Sequence, residues 1–155
     1  MGELALETRR NTSIRNDYNE DAPLAGELIA ANDLKNNYIR AQHRPTQVCY
    51  TYNCHGLTFA SRRTQVYRTQ CVAAILEDDG YILIQRADAL PGDICIYRDD
   101  LGEISHSGMV VAVEKDFLIP RVKVLSKWGS AHEVVHYEED CPYTPATISF
   151  HRIEK

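Results

Sequence analysis

The sequence predicts an α+β fold, with short helices first and an antiparallel sheet after them. One change of texture and one argument from length predict it. From Pro23 to Leu76 the apolar residues recur at helical spacing, whereas beyond Gly80 they fall into short β-branched runs bounded by Pro, Gly and Asp. The chain has 155 residues, enough for one domain to bury a core without metal or disulfide staples, so a single domain over 1–155 is expected. Its 44 % hydrophobic and 25 % charged residues fit a globular chain and exclude a disordered one.

Taken in order, residues 1–21 are polar and aperiodic and read as an arm or loosely packed lead-in. Pro23 suits a first helical turn, and Leu24, Leu28, Ile29, Leu34, Tyr38 and Ile39 carry helical spacing up to the break at Pro45, giving one or two amphipathic helices. Thr51 to Arg63 is a second helical candidate, capped by Asn53, with Leu57, Phe59 and Ala60 as its apolar side. Gln65 to Leu76 is a third, ended by the turn signal Asp78-Asp79-Gly80. Pro91-Gly92-Asp93 then introduces a strand over Ile94 to Tyr97, and Asp99-Asp100-Leu101-Gly102 makes a hairpin turn into a second over Ser107 to Val113. Val122 to Trp128 and Thr147 to Ile153 are further strands, while Pro142 and Pro145 keep Cys141 to Ala146 irregular.

Charge narrows the functional classes. Lys and Arg number 17 against 22 Asp and Glu, a net charge of -5 with no basic stripe, which argues against a nucleic-acid partner. No apolar run approaches the roughly 18 residues of a membrane span, and Met1 to Arg15 lack the apolar segment of a secretory signal. A cytoplasmic protein is expected, with delivery elsewhere by another route left open. The five cysteines are odd in number and contain no C-x-x-C pair, which argues against a disulfide framework or a cysteine zinc site; Cys71 and Cys95, among apolar neighbours, are expected to be buried.

Two segments carry chemistry. In Tyr52-Asn53-Cys54-His55-Gly56-Leu57 a cysteine falls in the first turn of a helix, where unpaired backbone N–H groups favour the thiolate; the plain alternative is a cysteine that is simply packed. In Ser105-His106-Ser107-Gly108-Met109-Val110 a histidine opens an apolar strand, where its ring can be held rigidly at the sheet rim. A cysteine and histidine remote in sequence and adjacent in space are what thiol hydrolases use, and a sulfur-to-ring contact of about 3 to 4 Å is the geometric signature.

Asn53-Cys54-His55-Gly56-Leu57, Gly92-Asp93-Ile94-Cys95-Ile96-Tyr97 and His106-Ser107-Gly108-Met109-Val110 occur in the order seen in NlpC-like papain-fold cysteine peptidases and amidases. The resemblance spans about Tyr50 to Trp128. It implies a papain-like fold, with 1–45 as N-terminal arm and helical extension and 46–155 as catalytic core. It also implies Cys54 as nucleophile and His106 as general base, with the Cys54 N–H in an oxyanion hole and Tyr50 or Tyr52 near it. Tyr52, Asn53, His55 and Trp128 are the substrate-side candidates, Trp128 with core packing as its alternative. The sequence departs from the family pattern in having Asn53 and His55 where Asp and Ser are usual. The family's third member, commonly His, Asn or Gln on the next strand, has no counterpart in Val122 to Trp128; Ser126, on one strand face with Val122 and Val124, is the candidate. No cofactor or metal is implied, and the partner is a peptide or protein substrate, either cell-wall peptide or a protein side chain.

A rival motif is His132-Glu133-Val134-Val135-His136, which fits H-E-x-x-H, where two histidines one helical turn apart bind zinc and the glutamate activates water. Gly129 before it, two β-branched valines inside it and Pro142 after it make a poor helix. The sequence therefore favours a thiol hydrolase cleaving an amide or isopeptide bond, with a zinc metallopeptidase or a non-catalytic binding module on the same fold as alternatives.

Overall fold

The computed structural model describes residues 2–154. Its elements in chain order are α1 (Ala25–Asn37), β1 (Gln42–His43), α2 (Cys54–Phe59), α3 (Thr69–Asp78), β2 (Tyr81–Ile84), a 3₁₀ turn at Arg86–Asp88, β3 (Ile94–Arg98), β4 (Ile104–Glu114), β5 (Arg121–Lys127), β6 (Glu133–Tyr137) and β7 (Thr147–Ile153). The strands form one seven-stranded sheet in the order β1-β6-β5-β4-β3-β7-β2, each pair antiparallel. The α+β class is thus correct, with β1 alone placed between helices.

Both faces of the sheet are covered, which is why β3 reads as a continuous apolar run instead of an alternating one. On one face Cys95, Tyr97, Val110, Val122, Val124, Val134 and Phe150 pack with Ala31, Leu34 and Tyr38 of the α1 region. On the other, Ile94 and Ile96 meet Val72, Ile75 and Leu76 of α3, while Leu125, Met109 and Val135 meet Tyr52 and Leu57. Cys71 and Cys95 are buried as expected, and all five cysteines are free thiols.

Several boundaries move for local reasons. The expected lead-in over 1–21 is packed: Ile14 is buried against α3, the Thr8 and Thr12 hydroxyls donate to Asp78, and backbone bonds tie Asp17 to Gln65. Of the expected helix over Thr51 to Arg63 only Cys54–Phe59 forms, because Ser61 and Arg62 take left-handed φ of 52° and 63°. α3 starts later than Gln65, since Gln65 bridges to Asp17 and Val66 is bonded to Asn53. α1 is a single helix with Leu28 and Ile29 exposed and Ala31 inward. The largest departure is at His132 to His136, where the structure has the strand β6; paired valines suit a pleated surface better than a short helix. Among the described residues no helix is long and apolar enough to cross a membrane.

Candidate active site

The loop into α2 is built around Asn53. Its extended backbone leaves the side chain free to cap the helix: Oδ1 accepts from Gly56 N at 2.9 Å and Val66 N at 3.1 Å, and Nδ2 donates to Val66 O at 2.8 Å. Those bonds hold Asn53 as a clamp between α2 and the following loop, a different task from the substrate contact expected of it. Gly56 is required by close approach, because a Cβ there would stand 2.0 Å from the Thr64 carbonyl oxygen and 2.9 Å from Tyr52 Cβ.

With α2 seated, Cys54 faces the sheet and is 7 % exposed. The β4–β5 pairing runs only as far as Met109 opposite Leu125, so beyond it the Ser107 N–H is free to face the thiol, together with the N–H groups of His55 and Cys54 itself. The Lys127 ammonium acts on it from β5. Burial outweighs all of these and pushes the thiol up to about 11, so in this conformation it is protonated.

His55 is turned away from any substrate. It is buried, its Nδ1 lies 2.7 Å from Ser107 Oγ, that hydroxyl donates to Thr58 Oγ1 at 3.0 Å, and Thr58 donates to the Cys54 carbonyl at 2.9 Å. The direction of this relay assigns the proton of His55 to Nδ1. Burial lowers the ring to about 4, so it is a neutral pin between α2 and β4.

His106 points to the opposite face, as strand alternation from Ser107 demands. The ring is fully buried, stacked on Tyr143 at 3.8 Å with 9° between planes and edge-on to Tyr97 at 5.0 Å. Neither ring nitrogen has a hydrogen-bond partner. Burial, then His136 and His55, hold its basicity well below the ordinary histidine value. The direct sulfur-to-imidazole bond expected of a working dyad is therefore absent from this conformation, although both residues lie beside the unpaired opening of β4.

Ser126 has other partners than the imidazole of His106: its Oγ lies 2.7 Å from His136 Nε2 and accepts from Trp128 Nε1 at 3.1 Å. Trp128 is itself in the core, edge-on to Tyr38, His43 and His136, which is the packing alternative of its two expected places. Tyr52 is buried on the α2 face and donates its hydroxyl to Glu133, whose carboxylate also receives Arg62 Nε at 2.7 Å and Nη2 at 3.1 Å. Lys127, fully buried, donates to the carbonyls of Gly129 at 2.7 Å and Cys49 at 3.3 Å and lies 4.9 Å over the Tyr52 ring. Sequence reasoning missed this Tyr52–Glu133–Arg62–Lys127 cluster, because its register became visible only with β6 as a strand.

The same strand bears on the zinc motif. Four residues of strand separate histidines 132 and 136 by roughly 13 Å of rise, too far for one ion, and Glu133 points to the other face from His136. Among the described residues no group of three His, Cys, Asp or Glu side chains is placed to hold a metal ion. No protein-family model, curated protein or solved structure matches the chain.

Proposed function

We propose that this chain is a cytoplasmic thiol hydrolase acting on an amide or isopeptide bond of a peptide or protein, with Cys54 as nucleophile and His106 as general base. The observation that carries the reading is a neutral, fully buried imidazole whose two nitrogens are both unbonded, stacked on the same Tyr143 that feels the helix-start thiol, itself served by backbone N–H groups. A buried polar ring without partners costs free energy that packing alone does not repay, and a base must keep a nitrogen free. The order of the Cys54, Gly92-Asp93 and His106 segments, which resembles NlpC-like enzymes, supports the same assignment.

In this reading His106 takes the Cys54 proton as sulfur attacks the substrate carbonyl, and the backbone N–H groups near the sulfur stabilise the oxyanion. The imidazolium then protonates the leaving amine, and water, deprotonated by the same ring, hydrolyses the thioester. Ser126 stands one step back: through His136 and Trp128 it stiffens the layer that His106 belongs to, with no bond to the base itself.

Acyl-enzyme trapping tests the proposal. With activated esters and peptide or isopeptide substrates, intact-mass measurement is expected to show one acyl adduct on Cys54, absent from Cys54→Ala and formed at least about a hundredfold more slowly by His106→Ala. A wild-type adduct elsewhere, or none, or His106→Ala acylating at the wild-type rate, gives the non-catalytic binding module instead.

A further inference from the structure

The pair assigned above is shut. With Cys54 7 % exposed and His106 not exposed at all, the ring is sealed from solvent and the cysteine nearly so. The imidazole is covered by the stacked ring of Tyr143. We infer that residues 141–146 form a lid, that the Tyr143 ring is its seal over the Cys54–His106 site, and that substrate enters only when this segment lifts. The inference rests on the reading of Cys54 and His106 as the reacting pair.

The segment is built to move without unmaking secondary structure. Pro142 and Pro145 have no N–H to donate, and among the described residues none of 142–145 makes a backbone–backbone hydrogen bond. Its two ends are anchored. Cys141 is buried with its Sγ 3.6 Å from the carbonyls of Glu138 and Tyr143, and Ala146 N donates to Arg98 O at 2.9 Å where β7 begins. Between those anchors Pro142 and Thr144 are exposed, while Tyr143 is half-buried with its ring against His106. A segment with fixed ends, a middle without backbone–backbone bonds and one inward ring belongs to the low-stability end of a fold's opening spectrum.

Closure also has a chemical consequence. Desolvation disfavours both charged forms, the thiolate and the imidazolium, so the closed site holds a protonated thiol and a neutral ring. Such a thiol is slow toward electrophiles. Lifting the lid readmits water and removes that penalty at the moment substrate arrives, so access and nucleophile ionisation are coupled through one side chain.

The test is the alkylation rate of Cys54 by iodoacetamide on the full chain, mapped by peptide mass and divided by the rate of Cys95, a fully buried thiol on β3 that reports general loosening. Tyr143→Ala is expected to raise the ratio about tenfold, the order set by losing one aromatic stack, and Tyr143→Phe, which keeps the ring, to leave it at wild type. If Tyr143→Ala fails to fold, the double change Pro142→Gly with Pro145→Gly keeps the ring while freeing its segment and is expected to raise the same ratio. An unchanged ratio in the folded variant overturns the lid, as does a parallel rise at Cys54 and Cys95. The readout needs no turnover, so a protein that fails to acylate at Cys54 but shows the labelling pattern would refute the hydrolase and leave the lid standing.

Discussion

Ser126 shows how one residue's role depends on a neighbour that sequence did not reveal. Strand alternation put its hydroxyl on the correct face, with Val122 and Val124, and nothing in residues 122–128 indicated what would stand opposite. Because β6 pairs with β5, Val134 sits across from Ser126, and Ser126 Oγ meets Nε2 of the neighbouring His136 while accepting from Trp128. Ser126→Ala strands both buried ring nitrogens, so it is expected to cost about 1 to 3 kcal/mol, read as a lower urea midpoint at unchanged slope. In the acylation assay the same change is expected to slow Cys54 far less than His106→Ala does, since no bond links Ser126 to the base. Equal losses from the two variants would return Ser126 to a direct catalytic part. What was legible of the candidate pair is the local placement of each residue, Cys54 at a capped helix start with a glycine two residues on and His106 on an apolar strand, which begins earlier than expected, at Ile104.

Among the elements, α2 has the least freedom. It is six residues long, far below the length at which a helix holds itself in water, so its shape depends on what it packs against. Asn53 begins it, left-handed backbone at Ser61 and Arg62 ends it, and Gly56 lets it lie against the Thr64 carbonyl. Sequence pattern caught the start, since a cap has a residue type, and overran the end, since no glycine marks the reversal. Gly56→Ala places a methyl where there is no room on either side, and Thr64 O is backbone that cannot rotate away. A loss of about 3 kcal/mol or more is expected, seen in thermal unfolding. Because Cys54 is carried on the displaced turn, its alkylation should change even in whatever fraction still folds; a variant with wild-type melting and labelling would mean that α2 does not seat as described. β6 went unread for the converse reason, its H-E-x-x-H pattern being compatible with helix and strand until the paired valines find β5 beside them.

At the scale of the whole molecule, a sheet buried on both faces places histidines where water does not reach: His55 under α2, His106 and His136 on the other side. Burial lowers His55 and His136 to about 4 and His106 well below its ordinary value. These rings stay neutral in the folded protein and take up protons near 6.5 once it unfolds, so the unfolded chain binds more protons as the pH falls. Their contribution is therefore intact above 6.5 and is lost progressively as the pH falls, for His55 and His136 from 6.5 down to about 4. At pH 5 the loss is about 2 kcal/mol for each of His55 and His136, or about 4 together, a large part of the 5–15 kcal/mol that holds a domain folded. Asp78, lowered by the Thr12 and Thr8 hydroxyls, and Glu133, lowered mainly by Arg62, act in the same sense only below the ordinary carboxylate range. With His106 adding to the loss, urea unfolding is accordingly expected to show a stability lower by at least about 4 kcal/mol at pH 5 than at pH 7.5. His136→Gln, which leaves an amide to meet Ser126 but cannot titrate, should reduce that difference by about 2 kcal/mol. Equal stability at the two pH values would mean that the histidines are hydrated in solution. The closed packing around His106, and with it the Tyr143 seal, would then be wrong.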